Sequence, residues 1–236
     1  MHLEVYTGNY SRVKMTSRII VASDLEGTLT TGETWKGIAR YLEKDGKSRA
    51  YRNFFNSRFP MALLARAGVN RRNFQNRWII DLLRFFEGAY YGEFLEAAEW
   101  VVENELWDKR RKNVLAVLET CKSEGARVIL TSGTYQPVLE VFAKRCSPHL
   151  GGFEVIGTKL EVVTGALTGK ILGQVNVGKV KAASLQAAIL KEPLEAAFGD
   201  TMPDLPMLEM ARNPVVIPTE LKLERLALKR GWQIIR

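Results

Sequence analysis

The stretch "RIIVASDLEGTLT", residues 18–30, joins a short apolar run to two acids that stand two positions apart. "RIIVAS" (18–23) is brief, apolar and bounded by turn residues, which predicts a buried strand. Asp24 and Glu26 follow the strand directly, and Gly27 comes next. Acid-x-acid-Gly after a strand also occurs in solvated turns, so this stretch predicts a strand end and leaves the role of its acids open.

Four further strand-like runs alternate with helix-like segments along the chain. The strand-like runs are 127–132, 196–200, 214–218 and 232–235, and the helix-like segments are roughly 135–146, 179–191, 204–211 and 219–230. This alternation predicts βαβ units, a parallel sheet and therefore an α/β fold. Because ligands bind at the carboxyl ends of strands in such sheets, Asp24, Ser132 and Asp200 are expected to lie together.

Two intervals depart from the alternation. Residues 35–115 are helical in period and contain no strand-like run, which predicts an all-helical cap inserted after the first strand. The predicted core is then 15–34 and 116–236, and the cap is 35–115. "FEVIGTKLEVVTGALTGKI" (153–171) has glycines between β-branched runs, which predicts a β-hairpin near the sheet.

The net charge of +8 is concentrated in the predicted cap, where residues 36–80 hold eleven Lys or Arg against two acids. Such a patch favours an anionic partner, although a solvated helical face explains it equally well. No run approaches the length of a membrane span, and the N-terminal residues 1–14 lack the apolar core of a signal peptide. We therefore expect a cytoplasmic protein.

Further polar groups lie at the other predicted strand ends, and they bear on the role of Asp24 and Glu26. "LTSG" (130–133) offers a hydroxyl and backbone N–H groups that open a predicted helix, which suits an anion. Lys179 begins a later helix, and "FGDTMPD" ends a strand at Asp200 and places Asp204 four residues on. These groups together predict a site for a phosphate.

In these motifs the chain resembles the haloacid dehalogenase superfamily of phosphotransferases, from about residue 18 to the C-terminus. The matching motifs, in order, are Asp24-Leu25-Glu26-Gly27-Thr28, Thr131-Ser132-Gly133, Lys179, and Gly199-Asp200 with Asp204. The position of the cap resembles the phosphoserine-phosphatase-like branch. The resemblance implies a Rossmann-like parallel-sheet core, a three-layer α/β/α arrangement, with the helical cap inserted after the first strand.

The resemblance also implies roles for these residues. Asp24 is the expected nucleophile, and Mg²⁺ is expected on Asp24, the backbone carbonyl of Glu26, and Asp200. Asp204 would order a water or Lys179. Thr131, Ser132 and Gly133 form the expected phosphate-binding segment, and Lys179 would balance the phosphate's charge.

Two glutamates carry further expectations. Relatives usually have Asp at the position of Glu26, and we interpret Glu26 as a variant that keeps the general acid–base role, with loss of that role as the alternative. Glu33 lies where phosphoserine phosphatases place a contact to the substrate amine, and it equally suits the first turn of the next helix. The arginine that would bind a carboxylate is undetermined among Arg49, Arg52, Arg58, Arg66 and Arg77.

These features predict a Mg²⁺-dependent phosphatase of a small phosphorylated metabolite, acting through an aspartyl-phosphate on Asp24. Two alternatives remain: transfer of the phosphoryl group to an alcohol such as homoserine, and a basic membrane- or nucleic-acid-binding protein with a vestigial site. We expect a monomer or homodimer and no nucleic-acid partner. A peripheral membrane contact through the basic cap is left open.

Overall fold

The computed structural model describes residues 19–46, 51–53, 55–56, 71–190 and 192–236, without the side chains of 71–76. The predictions for the N-terminal segment and for Arg49, Arg58 and Arg66 lie outside these residues.

A six-stranded sheet forms the centre of the described structure, and all of its neighbouring strands are parallel. Its strands are β1 (Ile20–Ser23), β2 (Arg127–Tyr135), β3 (Glu154–Thr158), β6 (Leu194–Gly199), β7 (Asn213–Val216) and β8 (Gln233–Ile234). The order is β3-β2-β1-β6-β7-β8. The chain proceeds outward from β1 on one side and from β6 on the other, so the strand order reverses between them. In open α/β sheets this reversal point is where ligands bind.

Helices connect and surround the strands. They are α1 (Thr34–Lys44), α2 (Arg71–Leu83), α3 (Tyr91–Val101), α4 (Lys112–Ser123), α5 (Gln136–Arg145), α6 (Lys179–Ile189), α7 (Leu205–Leu208) and α8 (Leu221–Arg230). A π-helix spans Val102–Trp107, and short 3₁₀ turns span Arg84–Phe86, Pro148–Leu150 and Met202–Asp204. Residues 51–53 and 55–56 are also helical.

The strands bury both faces, as parallel strands with helices on either side must. Val21 of β1 packs in a cluster with Leu118 of α4 and with the buried residues of α1 and α3. Ile20, its neighbour in β1, packs on the opposite face with Leu185 of α6 and Leu223 of α8. The predicted α/β fold, a parallel sheet between helical layers, is therefore confirmed.

The interval 35–115 contains helices and no strand element among its described residues. The predicted boundary at 115/116 falls inside α4, which begins at Lys112. The division into core and cap stays a prediction, because the helices of the interval share one buried cluster with the sheet.

Two local predictions need correction. The segment 153–171 is only partly a hairpin: β3 joins the main sheet, whereas β4 (Leu160–Val163) and β5 (Ala166–Ile171) pair antiparallel. The helix predicted at about 135–146 is confirmed as α5, which begins at Gln136, but Ser132 and Gly133 do not open it, because β2 continues to Tyr135. Pairing of β2 with β3 is irregular between Thr131 and Tyr135, so the residues between them leave the regular ladder.

In the described part of the chain, no helix combines the length and the apolar character that a membrane crossing requires.

Candidate active site

Asp24 lies at the carboxyl end of β1, at the point where the strand order reverses. Its backbone N–H donates to the Phe198 carbonyl of β6 at 2.9 Å, which extends the ladder by one residue and fixes the start of the loop. The residue is only 5% exposed. Burial raises the pKa of Asp24 to about 7, and the charge of Asp204 adds to this while that of Lys181 opposes it.

Gly27 lets the loop after β1 pass directly beside Asp200. Its φ is +88°, a conformation that favours glycine. A Cβ built on Gly27 would lie 2.0 Å from Oδ2 of Asp200, closer than any side chain can approach. Asp200 also accepts hydrogen bonds from Thr28 Oγ1 at 3.4 Å and from Thr219 Oγ1 at 2.5 Å. The glycine of the predicted motif is thus explained by close approach to the second carboxylate.

Lys181 is the lysine that reaches the carboxylates, and the prediction of Lys179 is wrong in this respect. Nζ of Lys181 donates to Asp24 Oδ1 and to Asp204 Oδ1, both at 2.6 Å. Lys179 is the exposed first residue of α6. Two residues on a helix are about 200° apart around its axis, so the two lysines cannot face the same site. Lys181 is on the buried face, together with Leu185 and Ile189.

Burial alone would lower the pKa of Lys181, but the negative charges of Asp204 and Asp24 hold that pKa above its ordinary value. The ammonium group is therefore charged at neutral pH. It supplies a fixed positive charge beside the oxygen atoms of Asp24.

Both carboxylate oxygens of Asp204 accept hydrogen bonds from other residues of the chain. Its Oδ1 accepts from Lys181, and its Oδ2 accepts from the backbone N–H of Asp200 and of Thr201 and from the Thr201 hydroxyl, each at 3.2 Å. Burial alone would raise its pKa, but Lys181 and these donors hold the pKa of Asp204 below its ordinary value. Asp204 therefore organises Lys181 and the loop at Asp200.

The segment Thr131–Gly133 is positioned by Asn176, which precedes α6. The Asn176 side-chain amide donates to Thr131 Oγ1 at 3.0 Å and to the Ser132 carbonyl at 3.1 Å. Ser132 is buried within β2, and a Cβ on Gly133 would meet Val177 at 2.5 Å. The structure thus brings this segment to the same edge of the sheet as Asp24.

Glu26 points its carboxylate at the start of α1. Oε1 of Glu26 accepts the backbone N–H of Thr34 at 2.9 Å. Burial raises the pKa of Glu26, and the Thr34 hydrogen bonds oppose that rise.

Glu33 occupies the position just before α1 and pairs with Lys36, whose Nζ lies 2.6 Å from it. Its backbone N–H donates to Oε1 of Glu105 at 3.4 Å. Both interpretations of Glu33 remain predictions. Of the candidate cap arginines, Arg52 and Arg77 are exposed.

The acidic cluster fits a divalent cation. Asp24, Asp200 and Asp204 each offer an oxygen, and these atoms lie within 4.8 Å of one another. Burial, together with the charges of Asp24 and Asp204, raises the pKa of Asp200 to about 8. Hard oxygen donors of this kind suit Mg²⁺.

Several residues of the site were not identified from the sequence. The sequence does contain a pattern that places Lys181 on the buried face of its helix, since Lys181, Leu185 and Ile189 have the spacing i, i+4, i+8. No local pattern identifies Asn176 or Thr134, because their contacts are made across 45 and 100 positions of the chain.

The model of the haloacid dehalogenase-like hydrolases matches residues 21–209, which is most of the chain. The chain belongs to this family. The phosphoserine phosphatase SerB1 of Mycobacterium tuberculosis (strain ATCC 25618 / H37Rv) is 29% identical over 219 residues, which cover 89% of this chain and 68% of that protein. The histidinol-phosphatase of Neisseria meningitidis serogroup C (strain 8013) is 30% identical over 96 residues, which cover 37% of this chain and 43% of that one.

Solved structures show the same fold. A protein of unknown function from Bordetella pertussis Tohama I superposes with a TM-score of 0.77 at 19% identity, covering 94% of this chain and 99% of that one. An apo phosphoserine phosphatase superposes with a TM-score of 0.58 at 17% identity, covering 92% of both chains. The predicted membership is confirmed: this haloacid dehalogenase-like hydrolase is phosphoserine-phosphatase-like in sequence and fold.

Proposed function

We propose that this chain is a Mg²⁺-dependent phosphatase that hydrolyses a small phosphate monoester through an aspartyl-phosphate on Asp24. The observation that carries the proposal is the cluster of three buried carboxylates, Asp24, Asp200 and Asp204, in which the buried Lys181 pairs with Asp24 and Asp204. Family membership and the phosphatases among the relatives support the same chemistry.

Asp24 is the nucleophile of the proposed reaction. One of its carboxylate oxygens attacks phosphorus, a bond from Asp24 to phosphorus forms, and the bond from phosphorus to the ester oxygen breaks. Lys181 lies beside Oδ1 and keeps that side chain oriented. Ser132 and the Gly133 N–H bind a phosphoryl oxygen. Glu26 gives a proton to the departing alkoxide and later takes one from the water that attacks the phosphorus, which regenerates Asp24.

The side chains of Asp24 and Asp200 and the Glu26 carbonyl would hold Mg²⁺. When bound, Mg²⁺ supplies positive charge to the phosphoryl oxygens and helps to hold the phosphate in line. The remaining electrostatic work falls to Lys181, which is buried and therefore acts in a medium of low dielectric constant.

The substrate class follows from the relatives. Because SerB1 is a phosphoserine phosphatase by name, phosphoserine is the first substrate to test, with histidinol phosphate, phosphoethanolamine and sugar phosphates beside it. The intact cluster supports an active site over a vestigial one. The proposal includes the cytoplasmic location and the monomer or homodimer expected from the sequence.

Rapid-quench trapping of a phosphoenzyme tests the mechanism. With an aryl phosphate and Mg²⁺, Glu26→Gln should accumulate phosphoenzyme, because the aryl group leaves without much protonation and the attacking water has lost its base. Asp24→Asn should form none and should turn over no ester. Turnover that survives both Asp24→Asn and removal of Mg²⁺ would refute the proposal.

A further inference from the structure

The carboxylate of Glu26 is held by Thr34, a residue outside the four sequence motifs. Oε1 of Glu26 accepts the backbone N–H of Thr34 at 2.9 Å. Thr34 begins α1, where backbone N–H groups lack partners within the helix and attract negative charge. Glu26 therefore satisfies a helix end that lies eight residues further along the chain.

Thr134 holds the side chain of Thr34. Its Oγ1 donates to Thr34 Oγ1 at 2.7 Å. This bond restrains the residue whose backbone N–H binds Glu26. Thr34 and Thr134 are only 5% and 3% exposed, so bulk water does not compete for these bonds.

The length of Glu26 matters for this arrangement. Aspartate at the same backbone position would place its carboxylate about 1.5 Å short, one C–C bond, of where Glu26 holds it. Added to the 2.9 Å bond to the Thr34 N–H, that deficit exceeds hydrogen-bond range unless the loop moves. The length of the Glu26 side chain thus fits the position of Thr34, which Thr134 holds.

We propose that Thr34 and Thr134 are positioning residues that orient the carboxyl group of Glu26 for proton transfer, and that the Thr34 contact accounts for glutamate at this position. The inference rests on the proposed function, in which Glu26 acts on the leaving group and on water. It assigns roles to two threonines outside the set of residues proposed to bind the phosphate and Mg²⁺.

The test compares leaving groups across a small set of variants. Thr34→Val and Thr134→Val remove each hydroxyl and keep the side-chain shape, whereas Thr34→Ser and Thr134→Ser keep the hydroxyl. Thr168→Val is the matched control, because it removes a hydrogen-bonded threonine hydroxyl elsewhere in the fold, one that donates to the Glu161 carboxylate at 2.6 Å in the β4–β5 hairpin. Each protein is assayed with p-nitrophenyl phosphate and with an alkyl phosphate, phosphoserine first.

A misplaced general acid harms the poor leaving group more than the good one. We expect kcat for the alkyl phosphate to fall about 10- to 100-fold in the valine variants, as it does when a catalytic group is displaced from its working position. The aryl phosphate should lose less than about threefold in the first step, KM should change little, and the serine variants should recover most of the loss. Equal losses for both substrates, or no rescue by serine, would overturn the inference and indicate a purely structural role.

A second measurement reads the geometry without turnover. The amide proton of Thr34 should resonate downfield in the NMR spectrum, because it donates to a carboxylate, and Glu26→Gln should move it upfield. The Thr31 amide, which donates to the Lys109 carbonyl, is the internal reference. An unmoved Thr34 resonance would overturn the inference even if the phosphatase activity is confirmed. A protein without phosphatase activity but with the shifted resonance would instead contradict the proposed function.

Discussion

Lys181 places its ammonium group 2.6 Å from the carboxylate of Asp24, and this contact joins α6 to the end of the central strand. The lysine also lies 2.6 Å from Asp204, so one buried cation serves two buried anions. Such a pair is costly to break, because either partner alone is a buried, uncompensated charge.

Lys181 and Lys179 form a natural pair for mutagenesis. Lys181→Met should lower kcat/KM about 10²- to 10³-fold, the usual effect of losing a preorganised electrostatic group, and should lower the free energy of unfolding by about 3–5 kcal/mol. Lys179→Met changes an exposed residue of the same helix and should leave both nearly unchanged. Urea unfolding and steady-state kinetics measure the two effects. The reverse result would restore Lys179 to the site.

Gly27→Ala should damage the carboxylate cluster beyond the cost of backbone strain. The new methyl group would collide with Asp200, so we expect Mg²⁺ affinity and activity to fall at least tenfold. Gly125→Ala is the matched control, since Gly125 has a φ of +93° and open space around its Cβ position. The control should lose only about 1 kcal/mol of stability. Isothermal titration with Mg²⁺ and urea unfolding separate the effects, and equal Mg²⁺ affinities in both variants would contradict the steric explanation.

Mg²⁺ should raise the melting temperature. At about a hundredfold excess over its dissociation constant, the ion should contribute about 2.7 kcal/mol, which corresponds to about 5–10 °C for a chain of this size. Asp200→Asn should abolish most of this shift. Glu209→Gln, which changes an exposed carboxylate paired with Arg230, should keep it. A shift of equal size in all three proteins would place the cation elsewhere.

Glu105 should make folding stability depend on acid pH. Burial alone would raise its pKa, but hydrogen bonds from Lys109 and Arg40 hold that pKa below the ordinary value of 4.5. Because the folded protein holds the proton less tightly, the stabilisation is present above pH 4.5 and is lost as the pH falls through the lower folded-state pKa.

Glu105→Gln should therefore reduce the free energy of unfolding at neutral pH, and the difference from the parent protein should shrink below pH 4.5. Glu99→Gln, at an exposed position of α3, serves as control. Urea unfolding at several pH values measures both differences. A difference that grows toward low pH would show that the sign of the Glu105 effect is opposite.

Sequence reasoning recovered the parts of this fold that depend on local pattern. The apolar runs at β1, β2 and β6 predicted strands, and the segments between them predicted helices, because strand and helix periods differ over a few residues. It failed where distant pairing decides the local structure: β2 continues past Gly133 because its end pairs with β3 at Thr158.

The sequence by itself determined the order of the motifs and the edge of the sheet on which Asp24, Ser132 and Asp200 meet, because parallel strands end on the same side. Only the tertiary structure decided that Lys181 rather than Lys179 reaches Asp24, since that depends on how α6 is rotated about its axis against the sheet. It also decided that Glu26 is held by Thr34, and Thr34 by Thr134 from 100 residues away. Hydrogen bonds across such separations follow from the packing of whole elements, which local sequence pattern does not encode.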